Sequence, residues 1–218
     1  MQVAYLLYDR FTALDVTGPH EVFNSVPGTE SVLVGEVAGP YRNESDTLSL
    51  VADKSLDEVT SPDILVVPGG YGTRALLDHE PLLSWIRAVD ETTTWTTSVC
   101  TGALLLAAAG LLEGRPATTH WLARETLAGL GAEPTAERVV LDGKYVTGAG
   151  VSAGIDMALT LVTEIYGPEV AQSVQLGIEY DPQPPHDAGA PEKASKEIVD
   201  VVSAVFAANE SAATGGSA

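Results

Sequence analysis

Apolar runs that favour strands alternate along the chain with runs that favour helices. β-Branched and aromatic runs predict strands over residues 3–8, 31–37, 64–67 and 95–99. Ala- and Leu-rich or amphipathic runs predict helices over residues 19–25, 81–91, 101–112, 121–130, 153–166 and 169–178. This order predicts an α/β fold with a mainly parallel sheet and helices on both faces.

The last third of the chain adds a hairpin, an irregular segment and a final helix. Asp142-Gly143 lies between two apolar runs in residues 139–147, which is typical of a type I′ hairpin. The proline-rich residues 181–191 predict a loop, and residues 191–208 predict a helix. Without a repeat or linker, we expect one domain over residues 1–208. Residues 209–218 are small and polar and predict a disordered tail.

The charge balance restricts the partners. The 218 residues include 30 acidic and 11 basic side chains, a net charge of −19. A surface with this much negative charge repels nucleic acids and anionic membranes. We therefore expect neither as a partner. The acidic residues are dispersed and lysine is scarce, which predicts a halophilic source. A single cysteine, no basic leader and no bilayer-length apolar run together predict a cytoplasmic protein.

The one cysteine, Cys100, lies between the predicted strand 95–99 and the predicted helix 101–112. A nucleophile at such a strand-to-helix turn is exposed at the sheet edge and faces the positive end of the helix. Both effects favour the thiolate, the reactive form of cysteine. We therefore expect Cys100 to be a nucleophile rather than a buried core residue.

Two other segments end at the same predicted sheet edge. Asp15 follows the first strand, where it is either a helix cap or a site carboxylate. Pro68-Gly69-Gly70 follows the strand at 64–67, and its glycines allow close backbone approach. We expect the Gly70 and Thr101 N–H groups to form a cradle for negative charge.

Histidine is the usual base beside a cysteine nucleophile, so His120 and His20 are candidate pocket residues. His120 follows a short strand and is either a site residue or a structural one. No histidine pair has zinc-ligand spacing, and no glycine-rich phosphate motif follows the first strand. We therefore expect no metal and no cofactor.

Five short segments resemble the ThiJ/PfpI superfamily and, within it, the isonitrile hydratases. They are residues 14–19, 68–70, 97–102, 117–121 and 175–185, and the resemblance extends from residue 2 to residue 191. It implies a flavodoxin-like sandwich, a homodimer and a small-molecule substrate. It also implies Cys100 as the nucleophile, Asp15 as its acidic partner and Gly70 and Thr101 as backbone donors, with the Thr101 hydroxyl near the reacting group.

The resemblance implies hydration of an isonitrile to an N-substituted formamide and leaves two alternatives open. The first is a glyoxalase or deglycase acting on 2-oxoaldehydes, with His120 moving the proton, although such relatives usually carry Glu in place of Asp15. The second is a cysteine-based redox sensor. One position departs from the pattern: His186 replaces a phenylalanine common in the relatives, which puts the shape of the pocket in question.

Overall fold

A seven-stranded sheet forms the centre of the computed structural model, which describes residues 1–214, with side chains described through residue 210. The strand order is β10-β11-β7-β6-β1-β2-β5, and every neighbouring pair is parallel except β10 and β11. The strands are β1 (Gln2–Leu7), β2 (Glu30–Gly35), β3 (Gly39–Arg42), β4 (Ser49–Ala52), β5 (Lys54–Ser55), β6 (Ile64–Val67), β7 (Trp95–Val99), β8 (Pro116–Ala117), β9 (Glu133–Pro134), β10 (Val139–Asp142) and β11 (Tyr145–Gly148).

Two sets of helices pack against this sheet. Helix α5 contacts both α1 and α6, and α3 contacts both α2 and α4. The helices are α1 (Ala13–Asn24), α2 (Glu80–Asp90), α3 (Gly102–Ala108), α4 (Arg124–Gly129), α5 (Ala153–Tyr166), α6 (Pro168–Gly177) and α7 (Lys196–Thr214). The predicted α/β sandwich with a mainly parallel sheet is confirmed.

The boundaries of helices α1 and α3 differ from the prediction. Helix α1 begins at Ala13, not at residue 19, and includes Pro19 in its interior. Proline removes one helical hydrogen bond there, but the helix continues because its inner face, including Val22 and Phe23, is buried. Helix α3 ends before Gly110, whose φ of +83° suits a helix C-terminus better than further helix.

The final helix is shifted towards the C-terminus. Helix α7 begins at Lys196 and runs to Thr214, so residues 209–214 are helical where a disordered tail is predicted. Residues 215–218 of that predicted tail lie outside the described residues. The small side chains of this segment are compatible with helix, and alanine favours it most.

Two small strand pairs lie outside the main sheet and were not predicted as pairs, although the short strand expected before His120 is present as β8. Strands β3 and β4 pair antiparallel, and β8 and β9 pair parallel, each apart from the main sheet. The loop between β3 and β4 carries Glu44 to the end of β1, where its N–H donates to the Phe11 carbonyl. The predicted hairpin between β10 and β11 is observed, but its turn is not type I′. Its central residues are Gly143 and Lys144, and only Gly143 has a positive φ, of +61°, whereas type I′ requires a positive φ at both.

The carboxyl ends of β11, β7, β6 and β1 lie side by side at one edge of the sheet. All four residues of β6 are buried, as are the five residues that follow Gln2 in β1. The loops that follow these four strands therefore start from rigid positions. Among residues 1–214, no helix is both long enough and apolar enough to cross a bilayer.

Candidate active site

Cys100 occupies a left-handed backbone conformation at the turn from β7 into α3, with a φ of +55°. Such a conformation is strained for a residue with a side chain and persists only where its surroundings hold it. Here the Cys100 N–H donates to the carbonyls of Gly148 (3.1 Å) and Ala149 (2.7 Å), and the Cys100 carbonyl accepts from Thr119 Oγ1 (2.8 Å). The predicted strand–Cys–helix turn is therefore observed.

The thiol lies in a cavity and not on the surface, contrary to the expectation of an exposed residue. Cys100 is only 5% exposed, because helix α7 and the segment after β6 cover the sheet edge. The cavity has a volume of about 200 Å³. Its lining consists of Thr12, Glu44, Gly70, Tyr71, Arg74, Cys100, Thr101, His120, Val151, Val202, Val205 and Phe206.

Asp15 lies in the first turn of α1 and is completely buried. Its Oδ2 atom accepts a hydrogen bond from the Gly69 N–H at 2.8 Å. Its Oδ1 atom is also buried and has no hydrogen-bond partner within the described side chains and backbone. The carboxyl therefore reaches across to the loop after β6 and does not cap its own helix.

Asp15 and Cys100 both bind a proton more tightly in the folded protein than as free side chains. Burial raises the pKa of Asp15 well above its usual value, and the Gly69 hydrogen bond opposes this. Burial also raises the pKa of Cys100, as does the charge of the Asp15 carboxylate. Two adjacent negative charges in a buried cavity are unfavourable, so the pair retains a proton at neutral pH.

The position of Cys100 beside helix N-termini therefore does not produce a freely ionised thiol. The N–H groups of Val151 and Thr101 bind the Cys100 side chain and lower its pKa, but burial has the larger effect. The expectation that the turn alone favours the thiolate is wrong, because desolvation of the charged form outweighs two backbone donors. A thiolate at Cys100 requires a protonated Asp15.

The predicted cradle of Gly70 and Thr101 N–H groups is arranged differently. The Gly70 N–H donates to Thr101 Oγ1 at 2.9 Å, so it is occupied inside the protein. The Thr101 hydroxyl in turn lies 3.2 Å from the Gly70 carbonyl. The Thr101 hydroxyl thus joins the loop after β6 to the elbow, which is the turn at Cys100 between β7 and α3. The groups that donate to the Cys100 sulfur are the backbone N–H groups of Thr101 and Val151.

Glycine is required where the loop after β6 passes the elbow. A Cβ atom on Gly69 would lie 2.5 Å from the Thr101 nitrogen and 2.9 Å from the Cys100 Cβ. Gly70 has a φ of +134°, and a Cβ there would lie 2.3 Å from the Arg10 carbonyl oxygen. Both positions therefore exclude larger residues.

The two candidate histidines, His120 and His20, lie in different places, and so does His186. His120 lines the cavity that contains Cys100. Burial, followed by the charges of Arg74 and Arg124, lowers the pKa of His120 to about 4. His20 lies elsewhere, with its ring 5.5 Å from that of Tyr5. His186 is exposed and lines a separate cavity of about 650 Å³ that borders the first at His120.

Several cavity residues were missed by the sequence analysis. Val151 follows the glycines at the end of β11, and this glycine-rich turn before a helix was a usable signal. Glu44 lies in a hairpin that was not predicted, and its Oε2 accepts a hydrogen bond from Thr12 Oγ1 at 3.0 Å. Burial raises the pKa of Glu44. The α7 residues had no signal, since only the tertiary fold brings them to Cys100.

Comparison with known proteins identifies the family of this chain. The profile of the DJ-1/PfpI family matches residues 1–164. A curated relative, "Isonitrile hydratase" of Pseudomonas putida, is 43% identical over 200 residues, which are 92% of this chain and 87% of the relative. The regulator CdhR of Pseudomonas aeruginosa is 35% identical over 60% of this chain, but the match covers only 39% of that protein.

A solved structure extends the similarity to the whole fold. The crystal structure of a ThiJ/PfpI family protein from Pseudomonas syringae has a TM-score of 0.92 and 36% sequence identity to this chain. The match covers 97% of this chain and 88% of that one. Drosophila melanogaster DJ-1beta, at 21% identity and a TM-score of 0.74, shares the fold. The family match over residues 1–164 and the relative with 43% identity show that this chain belongs to the DJ-1/PfpI family.

Proposed function

We propose that this protein is an enzyme that hydrates isonitriles to N-substituted formamides, with Cys100 as nucleophile and Asp15 as general acid. The observation that carries the proposal is the Asp15 carboxyl: one oxygen is fixed by Gly69, and the other is buried without a partner in the described structure. This carboxyl shares a buried environment with the only cysteine. The 43% identity to a curated isonitrile hydratase supports the same activity.

The first step adds the thiol across the isonitrile carbon. With the proton on Asp15, the Cys100 thiolate forms a bond to the terminal carbon of R–N≡C. Asp15 transfers its proton to that carbon, which gives a thioimidate on Cys100 and leaves Asp15 as a carboxylate. Burial raises the pKa of Asp15, which suits this role because a general acid works best when its pKa lies near the ambient pH.

The second step releases the product with water. The Asp15 carboxylate accepts a proton from the water molecule that attacks the thioimidate carbon, and passes this proton to nitrogen. When the tetrahedral intermediate collapses, its hydroxyl proton returns to Asp15 and the carbon–sulfur bond breaks. The products are the formamide R–NH–CHO and the starting pair of thiolate and carboxylic acid.

The decisive experiment measures formamide formation from a simple alkyl isonitrile. Wild-type protein should produce formamide, and Cys100→Ala should abolish turnover because the covalent intermediate is lost. Methylglyoxal should be tested in parallel. Turnover of methylglyoxal alone, or formamide production that survives Cys100→Ala, would overturn the proposal.

The two alternatives have less support. A glyoxalase mechanism would use His120 as a base, but a pKa of about 4 makes that imidazole a weak proton acceptor. A redox sensor requires a solvent-accessible thiol, whereas Cys100 is only 5% exposed. Both considerations favour the hydratase.

We further propose a cytoplasmic homodimer that binds neither nucleic acid nor membranes. The net charge of −19 supports the absence of these two partner classes, and the family resemblance supports the dimer. The dispersed acidic residues support a halophilic source, since salt screens repulsion between exposed charges. Sedimentation would test the dimer, and full stability in dilute buffer with no gain in molar KCl would contradict a halophilic origin.

A further inference from the structure

Helix α7 lines one side of the cavity that contains Cys100 and is the element of the site that the mechanism does not use. Phe206 is the centre of this contact. Its ring lies parallel to the imidazole of His120, with centroids 5.2 Å apart and 1° between the planes. It also lies 5.4 Å from the Tyr71 ring, and the Arg74 guanidinium lies 5.3 Å above it.

Polar contacts fix the helix in this position. Glu210 forms an ion pair with Arg74, whose side chain is only 11% exposed. The neighbouring Asn209 amide donates to the Tyr71 hydroxyl at 3.1 Å. Because Tyr71 and Arg74 belong to the 3₁₀ helix after Gly70, α7 is tied to the same loop that holds Asp15.

The part of α7 that lines the cavity is apolar. Val202, Val205 and Phe206 contribute there, and they lie on one face of the helix because residues three and four apart are neighbours. The reacting groups lie on the other side, at the carboxyl edge of the sheet: Cys100 follows β7, and Asp15 lies in the first turn of α1. The cavity therefore has a chemically reactive side and an apolar side formed by α7.

We propose that Val202, Val205 and Phe206 are specificity-determining residues that receive the substituent R of the substrate and select small apolar groups. This inference rests on the proposed isonitrile activity. An isonitrile is linear along R–N≡C. When its terminal carbon meets Cys100, the substituent R therefore points away from the sulfur, towards the apolar side of the cavity formed by α7. With about 200 Å³ available, bulky substituents and charged ones are disfavoured by size and by desolvation.

The test compares kcat/KM for methyl isonitrile and benzyl isonitrile in matched variants of the full chain. A single methylene in an apolar pocket changes selectivity by about tenfold or more. Val202→Phe fills the cavity and should lower the benzyl-to-methyl ratio by at least about tenfold. Phe206→Ala enlarges the cavity and should raise this ratio.

Val201→Phe is the control, because Val201 is adjacent to Val202 on α7 and is also exposed (61% against 42%), but does not line the cavity. It should leave the ratio within about twofold of wild type. Equal ratios in wild type and Val202→Phe, or an equal shift in Val201→Phe, would overturn the assignment. Thermal unfolding of each variant separates a folding defect from a change in selectivity.

A second readout is independent of the proposed reaction. The rate at which iodoacetamide and N-benzyl iodoacetamide alkylate Cys100 is measured by mass spectrometry at one pH. Val202→Phe should slow the benzyl reagent at least about tenfold more than the small one. If the wild type hydrates no isonitrile but the benzyl-to-small ratio of alkylation rates shifts in Val202→Phe, the proposed function is wrong and the role of α7 in selecting substituents is supported. If this ratio is unchanged in Val202→Phe, α7 does not select substituents.

Discussion

The backbone N–H of Gly69 donates to Asp15 Oδ2 at 2.8 Å and so joins the loop after β6 to the first turn of α1. This bond holds one oxygen of the carboxyl and leaves Oδ1 as the oxygen that can carry a proton to substrate. A Cβ on Gly69 would collide with the elbow at Thr101 and Cys100. Residue 69 must therefore be glycine for the loop after β6 to come close enough to donate to Asp15.

Asp15→Asn should separate the structural role of this residue from its chemical role. The asparagine oxygen can still accept from Gly69, but the amide has no acidic proton to give. We expect turnover of an alkyl isonitrile to fall by about 100-fold or more, the usual loss on removing a general acid. The circular dichroism spectrum should remain that of the wild type. Turnover within about threefold of wild type would show that another group protonates the carbon.

The same substitution should alter how stability depends on pH. The folded-state pKa of Asp15 is raised, so the native protein binds this proton more tightly than the unfolded chain. Its contribution to stability is present at low pH and is lost as the pH rises above the unfolded value of about 3.9. The asparagine side chain of the variant does not titrate. We therefore expect the free energy of unfolding of Asp15→Asn, relative to wild type, to increase between about pH 4 and pH 8 in urea titrations.

His120 should be neutral across the physiological range. Burial and the charges of Arg74 and Arg124 lower its pKa to about 4, below the usual value of about 6.5. An NMR titration should therefore show its ring protons shifting near pH 4, with the resonance assigned from its loss in His120→Gln. An imidazole that titrates near its usual pKa would contradict the buried position beneath Phe206 and would restore His120 as a base.

The strands and the elbow could be predicted from sequence because their signals are local. The bounds of β6 and β7 are those predicted, since short β-branched runs between turns leave little choice of register. The pKa of Cys100 could not be predicted, because it depends on burial by segments distant in the chain. Glu44 and Phe206 were missed for the same reason: one lies in an irregular hairpin and the other on a helix whose docking is tertiary.

Helix α7 should limit access to Cys100, and its ion pair with Arg74 allows a direct test. Glu210→Gln removes a partly buried charge pair, whose loss costs about 1 kcal/mol, or about fivefold in the population of an undocked helix. We expect iodoacetamide to alkylate Cys100 about fivefold faster in this variant.

Lys196→Gln is the matched control for Glu210→Gln, because it removes the exposed pair with Asp200, whose side chains are 81% and 60% exposed. Exposed pairs on a helix contribute a few tenths of a kcal/mol, so alkylation in this variant should match the wild-type rate. Equal acceleration in both variants would mean that fraying of the whole helix exposes the thiol. No acceleration in Glu210→Gln would mean that the aromatic contacts of Phe206 are sufficient to hold α7 in place.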